Sequence, residues 1–298
     1  MYWNDLNSQL KARYGTKVYK LALSSGCSCP NRDGTLDTRG CIFCDGAGAF
    51  AETGDIAEQY AAAKRRVAAK AGEGAKYIAY FQSFTNTYGS AERLRTLYTA
   101  AIEPEDVVAL SVATRPDCLP PEILELLSEL NRQKPVWVEL GLQTIHPATA
   151  AYIRRGYDLP VYEQAVRELK RRNITVVTHQ ILGLPGESRE DMRQTAEYIG
   201  RSGADGIKFH LLHVLRDTDL AAEWQAGRVP IMELEEYIAA LEDCLRHIPR
   251  QMVVHRLTGD GAKRDLLSPL WSGDKKRVLN AIHAAFLRDD LEQGSALL

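Results

Sequence analysis

Four of the six cysteines crowd into one short stretch of the chain. They are Cys27, Cys29, Cys41 and Cys44. Two residues separate Cys41 from Cys44, and this spacing lets both thiolates reach one metal centre from a single turn. Because thiolates are soft ligands, the stretch predicts either a zinc site or an iron–sulfur cluster. Cys118 and Cys244 stand alone, and the sequence indicates no role for them.

A tetrahedral zinc site is the simpler alternative, since four cysteines suit a closed structural site. Two features favour a cluster instead. Only one residue separates Cys27 from Cys29, which is tighter than the usual zinc knuckle. The stretch also follows the first predicted strand, where barrel enzymes place catalytic loops. Three cysteines on a [4Fe–4S] cluster leave one iron open to the amino and carboxylate groups of S-adenosylmethionine (SAM), whose cleavage yields a 5′-deoxyadenosyl radical.

The elements that position these cysteines alternate between short apolar runs and longer helical patterns. The predicted strands are 17–23, 76–82, 106–112, 135–141, 174–181, 205–212 and 252–257. The predicted helices are 55–71, 91–103, 120–133, 160–173, 188–202, 232–247 and 274–289. Pro120-Pro121 opens one helix, and Ser188 with Asp191 resembles a capping box.

Strand and helix alternation of this kind predicts right-handed βαβ units and a parallel α/β sheet. Six units fall short of the eight in a closed barrel. We expect a partial (β/α)6 TIM-like barrel over residues 17–249, with extensions at 1–16 and 250–298. An open doubly wound sheet is the rival fold. The partial barrel is favoured because polar residues end several strands and would converge on one mouth.

Composition limits the class of protein further. Hydrophobic residues make up 45% of the chain, the formal net charge is -2, and no run approaches the ~20 apolar residues of a membrane span. The N-terminus lacks a signal-peptide pattern, so we expect a cytoplasmic protein without disulfides and without a membrane partner. Near-neutral charge argues against indiscriminate nucleic-acid binding. Local basic clusters occur at 64–66, 154–155, 170–172 and 275–277.

Several segments together resemble the YhcC/YtqA-type radical SAM family. They are Cys29-Pro30-Asn31-Arg32-Asp33-Gly34-Thr35, Gly40-Cys41-Ile42-Phe43-Cys44, residues 80–88, Thr114-Arg115-Pro116-Asp117, Glu139-Leu140-Gly141-Leu142-Gln143-Thr144, Gly183-Leu184-Pro185-Gly186-Glu187, and residues 256–260 and 269–272. The resemblance covers nearly the whole chain. It implies that Cys29, Cys41 and Cys44 bind the [4Fe–4S] cluster and that Phe43 lies against the adenine of SAM. Cys27 is left outside the ligand set.

The resemblance also assigns further SAM contacts. By similarity to coproporphyrinogen dehydrogenase and the Elongator radical SAM module, Gln143 and Arg155 contact SAM, and the Arg155 fork matches its carboxylate. The adenine edge is recognised at Ile181 and Leu184, with Gly183 allowing close approach. A structural turn is the competing explanation for this glycine. His179 is placed near the ribose.

Polar residues at two strand ends complete the predicted site. Gln82, Thr85 and Asn86 follow the second strand and can accept hydrogen bonds from the SAM ammonium. A capped turn before the next helix is the alternative interpretation of these three. Lys208 and His210 share one face of the sixth strand. Because a buried Lys needs an anionic partner or water, we expect the pair to bind substrate or transfer protons.

The family resemblance implies radical modification of tRNA at the wobble uridine, converting a carboxymethylaminomethyl to an aminomethyl side chain. Implied partners are tRNA, an electron donor such as flavodoxin or ferredoxin, and a tRNA methyltransferase that acts next. Phosphate contacts would come from residues 1–16 or 250–298. Two alternatives stay open: radical chemistry on a small metabolite or peptide, and a zinc-stapled binding protein without catalysis.

Overall fold

A computed structural model describes residues 2–46, 54–259 and 263–297. The helices are α1 Leu6–Tyr14, α2 Ile56–Val67, α3 Ala91–Ile102, α4 Pro121–Asn131, α5 Pro147–Tyr152, α6 Leu159–Arg171, α7 Arg189–Arg201, α8 Asp219–Gln225, α9 Leu234–Arg246 and α10 Lys275–Arg288. The strands are β1 Val18–Leu23, β2 Lys76–Phe81, β3 Val107–Thr114, β4 Val136–Gln143, β5 Thr175–Leu182, β6 Gly206–Leu211, β7 Val214–Leu215, β8 Val253–Arg256 and β9 Leu266–Ser268.

All seven predicted strands and all seven predicted helices are present, with ends that differ by a few residues. The capping box at Ser188 is confirmed, because its side chain and that of Asp191 bond each other's backbone amides. The helix predicted at Pro120-Pro121 begins at Pro121. The sequence analysis missed α1, α5, α8 and the small antiparallel ribbon of β7 and β9.

The main sheet contains seven parallel strands in the order β1-β2-β3-β4-β5-β6-β8. A doubly wound sheet would reverse its strand order at a switch point, so the sequential order overturns that rival and leaves the crossover helices on one face. The sheet curls into the expected α/β half-barrel. Its seventh strand, β8, lies in the segment assigned to the C-terminal extension. The division into extensions and barrel stays a prediction.

The inside of the half-barrel is layered. At the amino ends of the strands, a small apolar cluster includes Val18, Ile78 and Trp137, and Leu10 of α1 packs into it. Helix α1 therefore closes the bottom of the barrel. Its capping residue, Asp5, forms a parallel β-bridge with Val254 of β8, which fixes the helix at the edge strand of the sheet. Beyond this apolar cluster, towards the carboxyl ends of the strands, the side chains inside the half-barrel are polar. These polar side chains form part of the candidate site.

No helix in the described ranges 2–46, 54–259 and 263–297 is both long and apolar enough to span a bilayer.

Candidate active site

A cavity of about 290 Å³ opens at the carboxyl ends of the strands, at the low end of the ~300–1,000 Å³ typical of small-molecule sites. It brings together nine of the fifteen predicted site residues. These are Cys29, Cys41, Phe43, Cys44, Gln82, Thr85, Gln143, Arg155 and His179. The other six lie outside its lining: Asn86, Ile181, Gly183, Leu184, Lys208 and His210.

The cysteine loop, residues 29–44, folds back on itself, so that the long spacer does not separate its cysteines. Cys29 accepts backbone hydrogen bonds from Arg32 (2.8 Å) and Asp33 (3.2 Å) through its carbonyl oxygen, which makes a tight turn. The Gly40 N–H then donates to the Asn31 carbonyl at 2.7 Å. This contact returns the chain to its starting point and brings Cys41 beside the turn of Cys29.

Asn31 anchors this loop to the barrel. Its side chain is 2% exposed, and its Nδ2 donates to the Arg154 carbonyl oxygen at 2.7 Å. The same nitrogen lies 3.5 Å from the Cys41 sulfur. Hydrogen bonds of this kind orient metal-ligating side chains and tune the metal. The sequence analysis assigned no role to Asn31.

Cys27 lies behind the loop rather than in the cavity. It is 7% exposed and belongs to the main apolar core. The Arg93 guanidinium contacts both its sulfur (3.3 Å) and the Ser25 carbonyl. Cys118 and Cys244 are also buried. This placement agrees with a ligand set that leaves Cys27 out, although the set itself stays a prediction.

The donor set suits an iron–sulfur cluster. Three thiols face one cavity, and Fe–S clusters are held by Cys thiolates. Among the described residues, no three His, Cys, Asp or Glu side chains are grouped closely enough to hold one metal ion. A cuboidal cluster makes a different demand, because its protein thiolates bind different irons. Burial and the neighbouring Cys44 raise the pKa of the Cys41 thiol to about 11. A bound metal would favour the thiolate.

Gln143 occupies a strained position at the cavity. Its φ of 70° is in the left-handed region, and the pairing of β4 with β5 shifts register between Gly141 and Gln143. A bulge of this kind re-aims a side chain, and such strain concentrates at functional sites. The bulge therefore turns the predicted SAM contact towards the cavity.

Arg155 lines the cavity but is held by backbone carbonyls. Its Nη1 donates to Thr144 at 2.6 Å, and its Nε donates to Tyr157 at 3.0 Å. The guanidinium also lies 4.7 Å from the centre of the Tyr157 ring. It is therefore a preorganised cation rather than a mobile one. Its predicted contact with the SAM carboxylate stays a prediction.

The three predicted site residues that follow β2, which are Gln82, Thr85 and Asn86, divide into two groups. Gln82 and Thr85 line the cavity, and the Thr85 amide reaches the Ser28 carbonyl at 3.3 Å. Asn86 is fully buried outside the lining, where its Oδ1 accepts from Ser25 (2.7 Å) and its Nδ2 donates to Ala113 (2.8 Å). These bonds favour the turn-bracing interpretation for Asn86.

The predicted adenine segment sits beneath the Cys41–Cys44 turn. Ile181 and Leu184 belong to an apolar cluster that also contains Ile42, and Phe43 packs against it. Gly183 has a φ of 85°, and a Cβ there would lie 3.0 Å from the Met232 sulfur. Both facts suit a structural requirement for this glycine. The adenine assignment stays untested.

A buried carboxylate forms the floor of the cavity. Glu139 on β4 is 0% exposed and accepts hydrogen bonds from side chains of five other strands. The donors are Lys20 (2.8 Å), Tyr80 (3.0 Å), Ser111 (2.8 Å), His179 (2.8 Å) and Lys208 (2.9 Å). We call these six residues the Glu139 layer. Because every strand from β1 to β6 contributes one member, the layer ties the half-barrel together across its interior.

The charges of the layer are strongly coupled. Burial raises the pKa of Glu139, but Lys20 and Lys208 outweigh it and hold that pKa well below its usual value. Burial lowers the pKa of Lys208 to about 8, although the negative charge of Glu139 acts to raise it. Burial and the Lys208 cation lower the pKa of His179 to about 4. His179 is therefore neutral at pH 7. Its Nε2 is engaged by the hydrogen bond to Glu139.

Lys208 has the anionic partner that its position required. Its Nζ bonds Glu139 and also the Tyr80 hydroxyl at 2.6 Å. His210 lies beside His179, with ring centres 4.9 Å apart, and its Nε2 is buried without a hydrogen-bond partner in the described structure. Neither residue lines the cavity, so their predicted catalytic roles stay predictions. The sequence analysis missed the Glu139 layer. The signal that could have predicted it is an acidic residue on one strand with His and Lys on the next two strands.

Comparison with known proteins identifies the class. The family model "Radical SAM superfamily" matches residues 38–199, and "Radical_SAM C-terminal domain" matches residues 204–288. The chain therefore belongs to the radical SAM superfamily, and its cofactors are a [4Fe–4S] cluster and SAM. This membership favours the cluster over the zinc site that the sequence had left open.

Two curated bacterial proteins are similar over nearly the whole chain. YtqA of Bacillus subtilis is 43% identical over 94% of this chain and 88% of its own length. YhcC of Escherichia coli is 39% identical over 99% of this chain and 95% of its own length. These relatives confirm the YhcC/YtqA-type resemblance. Neither name states an activity. These relatives therefore support the family assignment but do not indicate a substrate.

A solved structure confirms the fold. The archaeal Methanocaldococcus infernus Elp3, with residues 1–46 deleted, superimposes with a TM-score of 0.71 at 18% identity. The match covers 93% of this chain and 64% of that chain.

Proposed function

We propose that this chain uses Cys29, Cys41 and Cys44 to hold its cluster and modifies the wobble uridine of tRNA. The reaction would break the bond between the amine nitrogen and the carboxymethyl carbon of carboxymethylaminomethyl-uridine and leave an aminomethyl group. That carbon would lose one hydrogen atom and one further electron, with SAM as the two-electron oxidant, and water would then release it as glyoxylate. The proposed substrate is supported by the sequence similarity of this chain to a protein whose name includes tRNA uridine. The chain is 29% identical over 157 residues to a Methanocaldococcus jannaschii protein named tRNA uridine(34) acetyltransferase, although it spans only 28% of that protein.

Exposed cations near the mouth offer a surface for the phosphates of tRNA. Arg264 next to β9 is 85% exposed and lies within electrostatic range of Asp45, which follows the cysteine loop, so the ribbon and the loop share one rim. Arg39 lies in the same loop and is 63% exposed. Both also pair with a neighbouring Asp, which suits moderate, salt-dependent binding.

The basic clusters elsewhere are less suitable for RNA. Lys64 pairs with Asp106 at 2.6 Å, and Lys170 pairs with Asp205 at 2.5 Å. Both acids precede strands, so these pairs lie at the closed bottom of the barrel. Arg154 pairs with Asp219. The rim at residues 263–265 therefore fits the expectation that the C-terminal segment supplies phosphate contacts.

The chain's own residues would prepare the site in separate ways. When bound, the cluster and SAM supply the radical that abstracts a substrate hydrogen. Gln82, Thr85 and Gln143 offer polar groups to SAM, and Arg155 offers a fixed cation. His179, which belongs to the Glu139 layer, stays neutral at pH 7 because burial lowers its pKa to about 4. A flavodoxin or ferredoxin would supply the electron, and a tRNA methyltransferase would act on the product.

A comparison of tRNA nucleosides tests this function. Cells lacking the gene should accumulate carboxymethylaminomethyl-uridine and lose the aminomethyl form and its methylated product. Wild-type and Cys27→Ala genes should restore the profile, while Cys29→Ala should not. Anaerobic reconstituted protein with SAM, a reductant and tRNA from the deleted strain should form the same product. An unchanged wobble-uridine profile would reject tRNA and favour a small metabolite or peptide as substrate.

A further inference from the structure

The Arg32 side chain is confined inside the cysteine loop. Its guanidinium donates to the Cys44 carbonyl oxygen, while its own backbone N–H donates to the Cys29 carbonyl at 2.8 Å. Arg32 thus links the two ends of the loop through one residue. It is half-buried and lines the cavity with the three cysteines.

Two glycines make room for this guanidinium. A Cβ at Gly40 would lie 2.8 Å from Arg32 Nε, and a Cβ at Gly46 would lie 2.8 Å from Arg32 Nη1. Both distances are far below van der Waals contact, so any larger residue would displace the arginine. Both glycines also have a positive φ (77° and 72°), so each position favours glycine for its backbone as well as for the space that the guanidinium fills.

This cation lies within the electrostatic reach of all three cysteines. Its guanidinium bonds the Cys44 carbonyl oxygen and lines the same cavity as Cys29 and Cys41, so it lies beside any charge that the three sulfurs carry. The other cation near the thiolates, Arg115, is already bound by both oxygens of Asp117, at 2.9 and 2.7 Å. Arg32 has no carboxylate partner among its described hydrogen bonds.

We propose that Arg32 is a positioning residue for the cluster, closing the cysteine loop and setting the reduction potential through its fixed positive charge. The reduced cluster carries one more negative charge than the oxidised one, so a nearby cation stabilises the reduced form and raises the potential. The proposal rests on the ligand assignment of Cys29, Cys41 and Cys44 and not on the tRNA substrate.

Charge variants test the electrostatic part. Iron and sulfide per chain, and the midpoint potential from a redox titration followed by electron paramagnetic resonance, are measured after anaerobic reconstitution. Arg32→Gln should shift the potential to more negative values, whereas Arg32→Lys should stay near wild type. Arg39→Gln is the matched control in the same loop and should leave the iron and sulfide content and the midpoint potential at their wild-type values. A wild-type potential in Arg32→Gln, or equal shifts in the Gln and Lys variants, would overturn the role of the charge.

Glycine variants test the positioning part without removing the arginine. Gly40→Ala should displace the guanidinium and release iron to a chelator faster than wild type. Gly34→Ala is its control, because Gly34 also has a positive φ (91°) but its Cβ would lie 4.0 Å from the nearest atom. Equal iron loss in the two variants would assign the effect to backbone strain and reject the positioning role. Should Cys29→Ala keep a full cluster, the ligand assignment fails, whatever the Arg32 variants show.

Discussion

The cysteine loop and the Glu139 layer face the same cavity but are built in opposite ways. The loop is made from neighbours in sequence: a turn at Cys29, a return at Gly40 and an arginine between two glycines. The layer is made from distant residues, and 119 residues separate Lys20 from Glu139. The loop therefore brings its three cysteines to one cavity with little buried core, whereas the layer holds the barrel together and contributes only Glu139 and His179 to the cavity lining.

This difference predicts that the two regions can be damaged separately. Cys29→Ala is expected to abolish cluster binding, while leaving the unfolding free energy of the cluster-free chain nearly unchanged. Cys27→Ala is the matched control and should retain full iron and sulfide. The measurements are metal content after anaerobic reconstitution and urea unfolding of the cluster-free protein. Loss of iron in Cys27→Ala equal to that in Cys29→Ala would place Cys27 among the ligands.

Glu139→Gln should produce the converse result. Removing one partner of a buried ion pair costs about 3–5 kcal/mol, because the remaining charges of Lys20 and Lys208 lose their counter-ion. Urea unfolding measures this loss, and iron bound per folded chain should stay at the wild-type level. Ser111→Ala removes one neutral donor to the same carboxylate and should cost about 1 kcal/mol. Equal losses in the two variants would contradict the central role of the Glu139 charge.

The same contrast explains what could be predicted from the sequence. The meeting of Cys29, Cys41 and Cys44 at one cavity, the strand–helix alternation and the capping box at Ser188 depend on local spacing, which is visible in one stretch of chain. The ligand role of these cysteines stays a prediction. The Glu139 layer depends on strand register and sheet curvature, which decide that Lys208 and Tyr80, 128 residues apart, lie 2.6 Å from each other. A lysine on a strand predicts a partner but not its identity. Helix α1 was missed because it buries Leu10 alone.

The histidines inside the barrel predict acid sensitivity. The pKa of His179 is lowered to about 4, chiefly by burial, and burial holds those of His210 and His255 well below the usual value. Between these values and about 6.5 the unfolded chain binds more protons, so stability falls as the pH decreases. From pH 7 to 5 the His179 imidazole should contribute a loss of about 2 kcal/mol, and His210 and His255 should act in the same direction.

Urea unfolding of the cluster-free protein at several pH values measures this slope. The charged groups that face these rings are Lys20, Lys208, Arg256 and Glu139. The pKa of Lys208 is about 8 and that of Glu139 is held well below its usual value, so both of these groups stay charged between pH 7 and 5. His179→Gln should remove about one proton from the slope between pH 6 and 5. A slope that does not change in His179→Gln would show that this imidazole is not protonated on unfolding.

The smallest predicted effect concerns the bulge where the two regions meet. Gln143 is the last residue of β4, the strand of Glu139, and has a left-handed φ, which costs a residue other than glycine about 1–2 kcal/mol. Gln143→Gly should therefore raise the unfolding free energy by about 1 kcal/mol and weaken SAM binding to the reconstituted protein. Asn173→Gly relieves a similar φ of 54° at an exposed turn far from the cavity and should leave SAM affinity unchanged. If both variants bind SAM equally well, the bulge serves the sheet alone; if only Gln143→Gly weakens binding, the strain is retained because it directs a cofactor contact.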